Sequence, residues 1–226
     1  MALKRTAVPT KKQQFHTVDE LIAKSQPSFT YYFLLFVSSL IITSGLLLSN
    51  SAIVIGGMIV TPVLTPIIAI ALAITVGRGE LLRRMSFFLL KSFGFIVFSG
   101  FLLRFIFGQP PQDFFFADTM RTAVLYFIVA LCSGAAATFA FAHRNSSDIL
   151  PGIAVAVSLV PPLSLIGIGL AGTGFALSRF FLLVFFMNTI GIVFGGIVTF
   201  SFMRFYRAES KVDEELKALK KKDKQK

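Results

Sequence analysis

The run SAIVIGGMIVTPVLTPIIAIALAITV (Ser51–Val76) decides the fold. It carries no charge and exceeds the roughly 20 apolar residues that a membrane-crossing helix needs. Yet its interior holds Pro62 and Pro66, which remove backbone donors and clash with the preceding turn. Five further apolar stretches flank it: Tyr31–Ser49, Leu81–Phe107, Thr122–Ala142, Ile149–Ala171 and Ser178–Met203. Ile149–Ala171 is interrupted in the same manner, by Pro161 and Pro162. The expectation is an all-α membrane protein of six transmembrane helices, with the second and fifth broken by proline.

Composition agrees. Of 226 residues, 55% are hydrophobic and 15% charged, against about a quarter charged in soluble domains. The net charge of +11 sits at the two ends and in one short loop. It forms no basic stripe across a folded surface, which argues against a nucleic-acid partner. The lone Cys132 lies in an apolar run, so neither a disulfide framework nor a zinc cluster is expected. Residues 1–28 are polar and lack the apolar core of a cleavable signal. With both termini placed in the cytoplasm, nineteen of the 22 Lys and Arg fall on that side, leaving Arg104, Arg121 and Arg179 outside. The positive-inside rule thus predicts a multi-pass protein of the cell (inner or plasma) membrane with both termini cytoplasmic.

The two halves share a plan: a plain span, a proline-broken span, then a Phe-rich span. A shift of 99 places Pro62 on Pro161, Leu64 on Leu163, Thr65 on Ser164 and Ile67 on Ile166. Three spans is an odd number, so the second half is expected to be inverted relative to the first. Inverted repeats with matching broken segments point to a transporter-like site. The implied organisation is an N-terminal cytoplasmic segment (1–29), a six-span domain (30–205, with repeats 30–108 and 119–205) and a basic cytoplasmic tail (206–226).

NSAIVIGGMIVTPVLTPIIAIALAI (Asn50–Ile74) and LPGIAVAVSLVPPLSLIGIGLA (Leu150–Ala171) resemble the paired signatures of a bacterial and archaeal family of hydrophobic membrane proteins, domain of unknown function 389. The resemblance implies an integral membrane protein and no particular substrate.

Thr65-Pro66 has the form of a helix start, with Thr as N-cap and Pro at the first helical position. Two half-helices beginning near the midplane would aim positive dipole ends at a cavity and attract anions. The candidate solute-binding residues are Thr61, Pro62, Thr65 and Pro66 with Ser158, Pro161, Pro162 and Ser164. Asn188 reads equally as cavity lining or as an interhelical hydrogen bond. No Asp or Glu lies deep in a span, which argues against a carboxylate proton relay. No catalytic constellation, cofactor motif or metal cluster is evident, so an enzyme is not expected. The favoured reading is a small secondary transporter or channel for a small anionic or polar solute. A membrane sensor or assembly subunit acting through its basic ends is the alternative. Expected partners are membrane lipid and a small solute or ion, with a homo-oligomer possible. At the ends, Thr17–Glu20 matches a capping box for a helix over Val18–Lys24. Ala208–Leu219 has helical spacing with Val212, Leu216 and Leu219 on one stripe, and a solvated tail is an equal expectation.

Overall fold

The computed structural model describes residues 9–108, 119–143, 159–172 and 175–223, all helices and connections with no strand among them. In chain order the helices are α1 (Lys11–Lys24), α2 (Phe29–Leu47), α3 (Ser51–Val60), α4 (Leu64–Val76) and α5 (Gly79–Phe107). They continue with α6 (Thr119–Ala142), α7 (Val160–Leu170), α8 (Phe175–Phe202) and α9 (Glu209–Asp223), the last preceded by a 3-10 turn over Phe205–Ala208.

Four helices, α2, α5, α6 and α8, are individually long and apolar enough to cross a membrane. The helices α3 and α4 together make a fifth such segment, bent by 55°. Large apolar side chains cover the outside: Phe29, Phe87, Phe105, Phe186 and Phe202 are all at least half exposed. Water would penalise such a surface, whereas hydrocarbon does not. The remaining proline-rich stretch is helical over Val160–Leu170, while Ile149–Ser158 lies outside the described residues.

Inside, helices meet through small residues, because apolar chains gain nothing from leaving lipid and must instead pack closely. The α6–α8 pair shows this best. A Cβ added at Gly195 would collide with the Leu131 carbonyl oxygen, and one at Gly134 with the backbone of Ile192. Gly191 and Gly195 stand one small-xxx-small interval apart on that face. The α5–α7 crossing is as close: Gly100 lies against the Ser164 carbonyl and Gly167 against that of Val97.

Side-chain contacts fix which ends lie together. Gln14 Nε2 on α1 donates to the Met203 carbonyl at the end of α8 (3.0 Å). Thr17 Oγ1 reaches the Phe141 carbonyl at the end of α6 (3.3 Å). Arg78, in the turn between α4 and α5, pairs with Glu209 and Asp213 on α9. Both terminal helices, that turn and the ends of α6 and α8 therefore share one end of the bundle. At the other, the ends of α2 and α5 line a common cavity, and Gly172, beyond α7, sits beside the Arg104 guanidinium.

Two local expectations are corrected. The N-terminal helix begins at Lys11, not Val18. Its capping box is Thr10 with Gln13, and Thr17 is an interior residue with its hydroxyl bonded to the Gln13 carbonyl. Thr10 satisfies the same donor requirement one turn and more upstream, so the helix extends to it. The second correction concerns the C-terminal segment, which is docked: Val212, Leu216 and Leu219 are buried. On α1, His16 lies 3.9 Å from the Glu20 carboxylate.

Candidate functional site at the proline breaks

The first break is real. Asn50 caps α3, its Oδ1 accepting from the amides of Ala52 and Ile53, and α3 stops at Val60 because Pro62 cannot continue its ladder. Thr61 is the C-cap in extended conformation. Its Oγ1 donates to the Gly57 carbonyl at 3.0 Å, satisfying an acceptor that the break leaves open. Pro62 and Val63 form the turn.

Here the N-cap expectation fails. The N-cap of α4 is Val63, without a side-chain hydrogen bond. Thr65 and Pro66 sit inside the first turn, Thr65 half-buried and Pro66 buried. Proline tolerates any first-turn position, since the amide it lacks would have no helical partner there.

The helix start at the second proline motif obeys the same physics. α7 starts at Val160 with Leu159 as an uncapped N-cap and both prolines in the first turn. Of the four amides that a helix start leaves open, two are absent here because the residues are Pro161 and Pro162. This lowers the cost of starting a helix among apolar neighbours, where an unpaired N–H is expensive. It also halves the donors that α7 could offer an anion. In α4, Pro66 removes one donor of four.

Burial separates the candidates. Pro161, Pro162 and Ser164 are buried, Ser164 completely, and the Ser164 hydroxyl has no hydrogen-bond partner. Thr61, Pro62 and Thr65 retain partial exposure. Asn188 on α8 is buried and engaged in an interaction. Ser158 lies outside the described residues. The two proline-started helices do not form a packed pair. Instead α5 and α8 run between them, each touching both α4 and α7.

Two cavities lined by described residues lie away from the prolines. One of about 330 Å³ lies between α1 and the end of α6, beside His16, Glu20 and Phe141. The other, about 290 Å³, lies at the opposite end between Ser44, Leu48 and Phe107.

Sequence reasoning overlooked several groups. The Thr43 and Thr138 hydroxyls are fully buried without partners. Thr138 faces Gly196, which also meets Ala71 of α4. Arg104, already counted among the outer cations, has a buried and unpartnered Nη1 and lies near the C-terminal end of α7, where the helix dipole favours a cation. The spacing of Gly191 and Gly195 was the available signal for the α6–α8 seam. Nothing in the sequence singled out Thr43 or Thr138 from other span hydroxyls.

Long apolar helices and lipid-compatible surfaces define a multi-pass helical membrane protein. Residues 58–194 match the family model of the domain of unknown function (DUF389), and the chain belongs to that family. It is also similar to an uncharacterized protein of Methanocaldococcus jannaschii, 29% identical over 173 residues, which covers 74% of this chain and 52% of that protein. The chain thus spans about half the length of the curated relative it matches. No solved structure matches.

Proposed function

We propose that the chain crosses the cell membrane six times as two inverted three-span repeats, with cytoplasmic termini, and acts as a small secondary transporter or channel. Helix packing carries the reading. If α2, α4 and α5 are exchanged with α6, α7 and α8, the pattern of contacts maps onto itself. The α2–α5 contact becomes α6–α8, α4–α5 becomes α7–α8, α5–α7 becomes α8–α4, and α2–α7 becomes α6–α4. Matched neighbours of this kind support two halves built on one plan. At 11 residues, α7 is about 16 Å long, half of a hydrocarbon layer of about 30 Å. Its start therefore falls inside the layer, as does the α3–α4 break, and half-spanning helices are the usual framework of transporter sites.

The solute best suited is a small anionic or polar one, met by Thr61, Thr65 and the α4 amides on one side and by Ser164 with Asn188 on the other. Donor loss to the prolines makes α4 the stronger anion end. The acid-free interior supports the same polarity: the described spans hold no carboxylate except Glu80, in the first turn of α5.

The test is flux in proteoliposomes over a panel of small anions and neutral polar solutes. Thr61→Val and Ser164→Ala should each lower flux of the active solute about tenfold, with the unfolding midpoint unchanged. Absence of flux across the panel would instead favour a non-transporting membrane subunit, a reading that the burial of Pro161, Pro162 and Ser164 supports.

A further inference from the structure

The elbow joining α8 to α9 combines strain, charge and exposed aromatics in one turn. Arg204 has φ +61°, a left-handed conformation in which glycine is the low-strain residue. An arginine at such a position points to a use for its side chain. The elbow itself is anchored. Phe205 and Ala208 are fully buried, Phe205 packs on Phe200 with ring centroids 4.7 Å apart, and the Met203 carbonyl is held by Gln14. Residues three apart in a 3-10 turn share a face, and the Arg207 amide donates to the Arg204 carbonyl at 3.2 Å. The two arginines are thus presented together, both exposed and without ion-pair partners among the described residues. The adjacent Glu209 is already engaged by Arg78.

Beside them, Phe202 is 70% and Tyr206 49% exposed. The Arg207 guanidinium carbon stands 5.8 Å from the Tyr206 ring centroid. Phe202 is the last residue of an apolar spanning helix, so this elbow marks the level where hydrocarbon gives way to headgroups. We propose that the elbow binds the phosphate headgroup of an anionic phospholipid, Arg204 and Arg207 supplying the cations while Phe202 and Tyr206 lie against the acyl chains. Free phosphate would make no use of the two exposed rings, which is why a lipid is the occupant.

The experiment is native mass spectrometry of the full chain in neutral detergent, titrated with phosphatidylglycerol or phosphatidylcholine. The wild type should favour phosphatidylglycerol. Arg204→Gly and Arg207→Gln should each weaken that binding about fivefold, equivalent to about 1 kcal/mol per basic residue, and together about 25-fold. The unfolding midpoint of Arg204→Gly should stay or rise, because glycine relieves the strained φ. A Lys217→Gln/Lys221→Gln variant on α9 should bind as the wild type does. Equal binding of the two lipids, an unaffected double arginine variant, or an equal loss in the α9 variant would overturn the proposal. So would displacement of bound lipid by equimolar glycerol phosphate, which would mean that phosphate alone suffices.

Discussion

Gly167 and Gly94 are both helical glycines in apolar surroundings, yet their environments are opposite. A Cβ at Gly167 runs into the Val97 carbonyl oxygen, whereas one at Gly94 meets nothing within 4 Å. Gly167→Ala should therefore cost about 1–3 kcal/mol through overpacking. Gly94→Ala should be neutral or stabilise by up to about 1 kcal/mol through helix propensity. Unfolding midpoints in detergent check both, and a tolerant Gly167 would mean that α5 and α7 do not cross there. Asn50 makes a third case. Its carboxamide satisfies two amides at the start of α3, so Asn50→Ala should cost about 1 kcal/mol in the same assay. Sequence identified Thr61 and the prolines as special. It did not distinguish Gly167 from Gly94, because a glycine's meaning depends on what approaches it from another helix.

Among elements, α9 is the one whose attachment was least legible. Its stripe of Val212, Leu216 and Leu219 was evident, but its partners were not. Arg78 Nη2 is shared between Glu209 at 2.6 Å and Asp213, and Lys220 pairs with Glu80 at 2.8 Å. Two carboxylates and one lysine of α9 are thus tied to Arg78 and Glu80. Such pairs are individually worth no more than about 1 kcal/mol when exposed, and salt screens them. Val212, Leu216 and Leu219 stay buried without these pairs, so about 1 M salt or Arg78→Gln should broaden the distance distribution between spin labels on α9 and on the α4–α5 turn rather than undock the helix. Lys211 links α9 to α1, with Nζ 3.2 Å from Asp19. That hydrogen bond raises its pKa above the ordinary 10.5, against the opposing pull of desolvation. Protonated lysine is the bound form, so its contribution is complete below pH 10.5 and fades as pH climbs through the raised value. The α1–α9 label distance should hold steady to about pH 10.5 and lengthen above it. Lys211→Met should abolish that step, and a step surviving in the variant would assign it to another group.

At the scale of the whole molecule, the crossing pattern has a direct test. After replacement of Cys132, single cysteines at Gly79, His143 and Glu214 should react with a membrane-impermeant reagent from one side. Cysteines at Gly108 and Gly172 should react from the other. Reaction of His143→Cys and Gly172→Cys from the same side would mean that the proline-rich segment between α6 and α8 is re-entrant, leaving five spans rather than six.

Apolar length, proline position and the distribution of Lys and Arg are properties of the chain itself. They establish the helical membrane class, four of the long helices, and a break between Thr61 and Pro66, which the structure narrows to Thr61–Val63. This legibility has a physical cause: without water, each backbone group must be satisfied within its own helix, so local sequence dictates the element. Long-range relations are not encoded that way. Lipid is as apolar as the side chains it touches, and hydrophobicity alone does not say which face of a span meets a neighbour. Tertiary structure decided that α5 and α8 separate the two proline-started helices, that Ser164 lies buried against Gly100, and that α9 pairs with Arg78 and Glu80 beside the α4–α5 turn. Those outcomes depend on backbone fit and on charges brought together from residues more than a hundred positions apart, which no local pattern records.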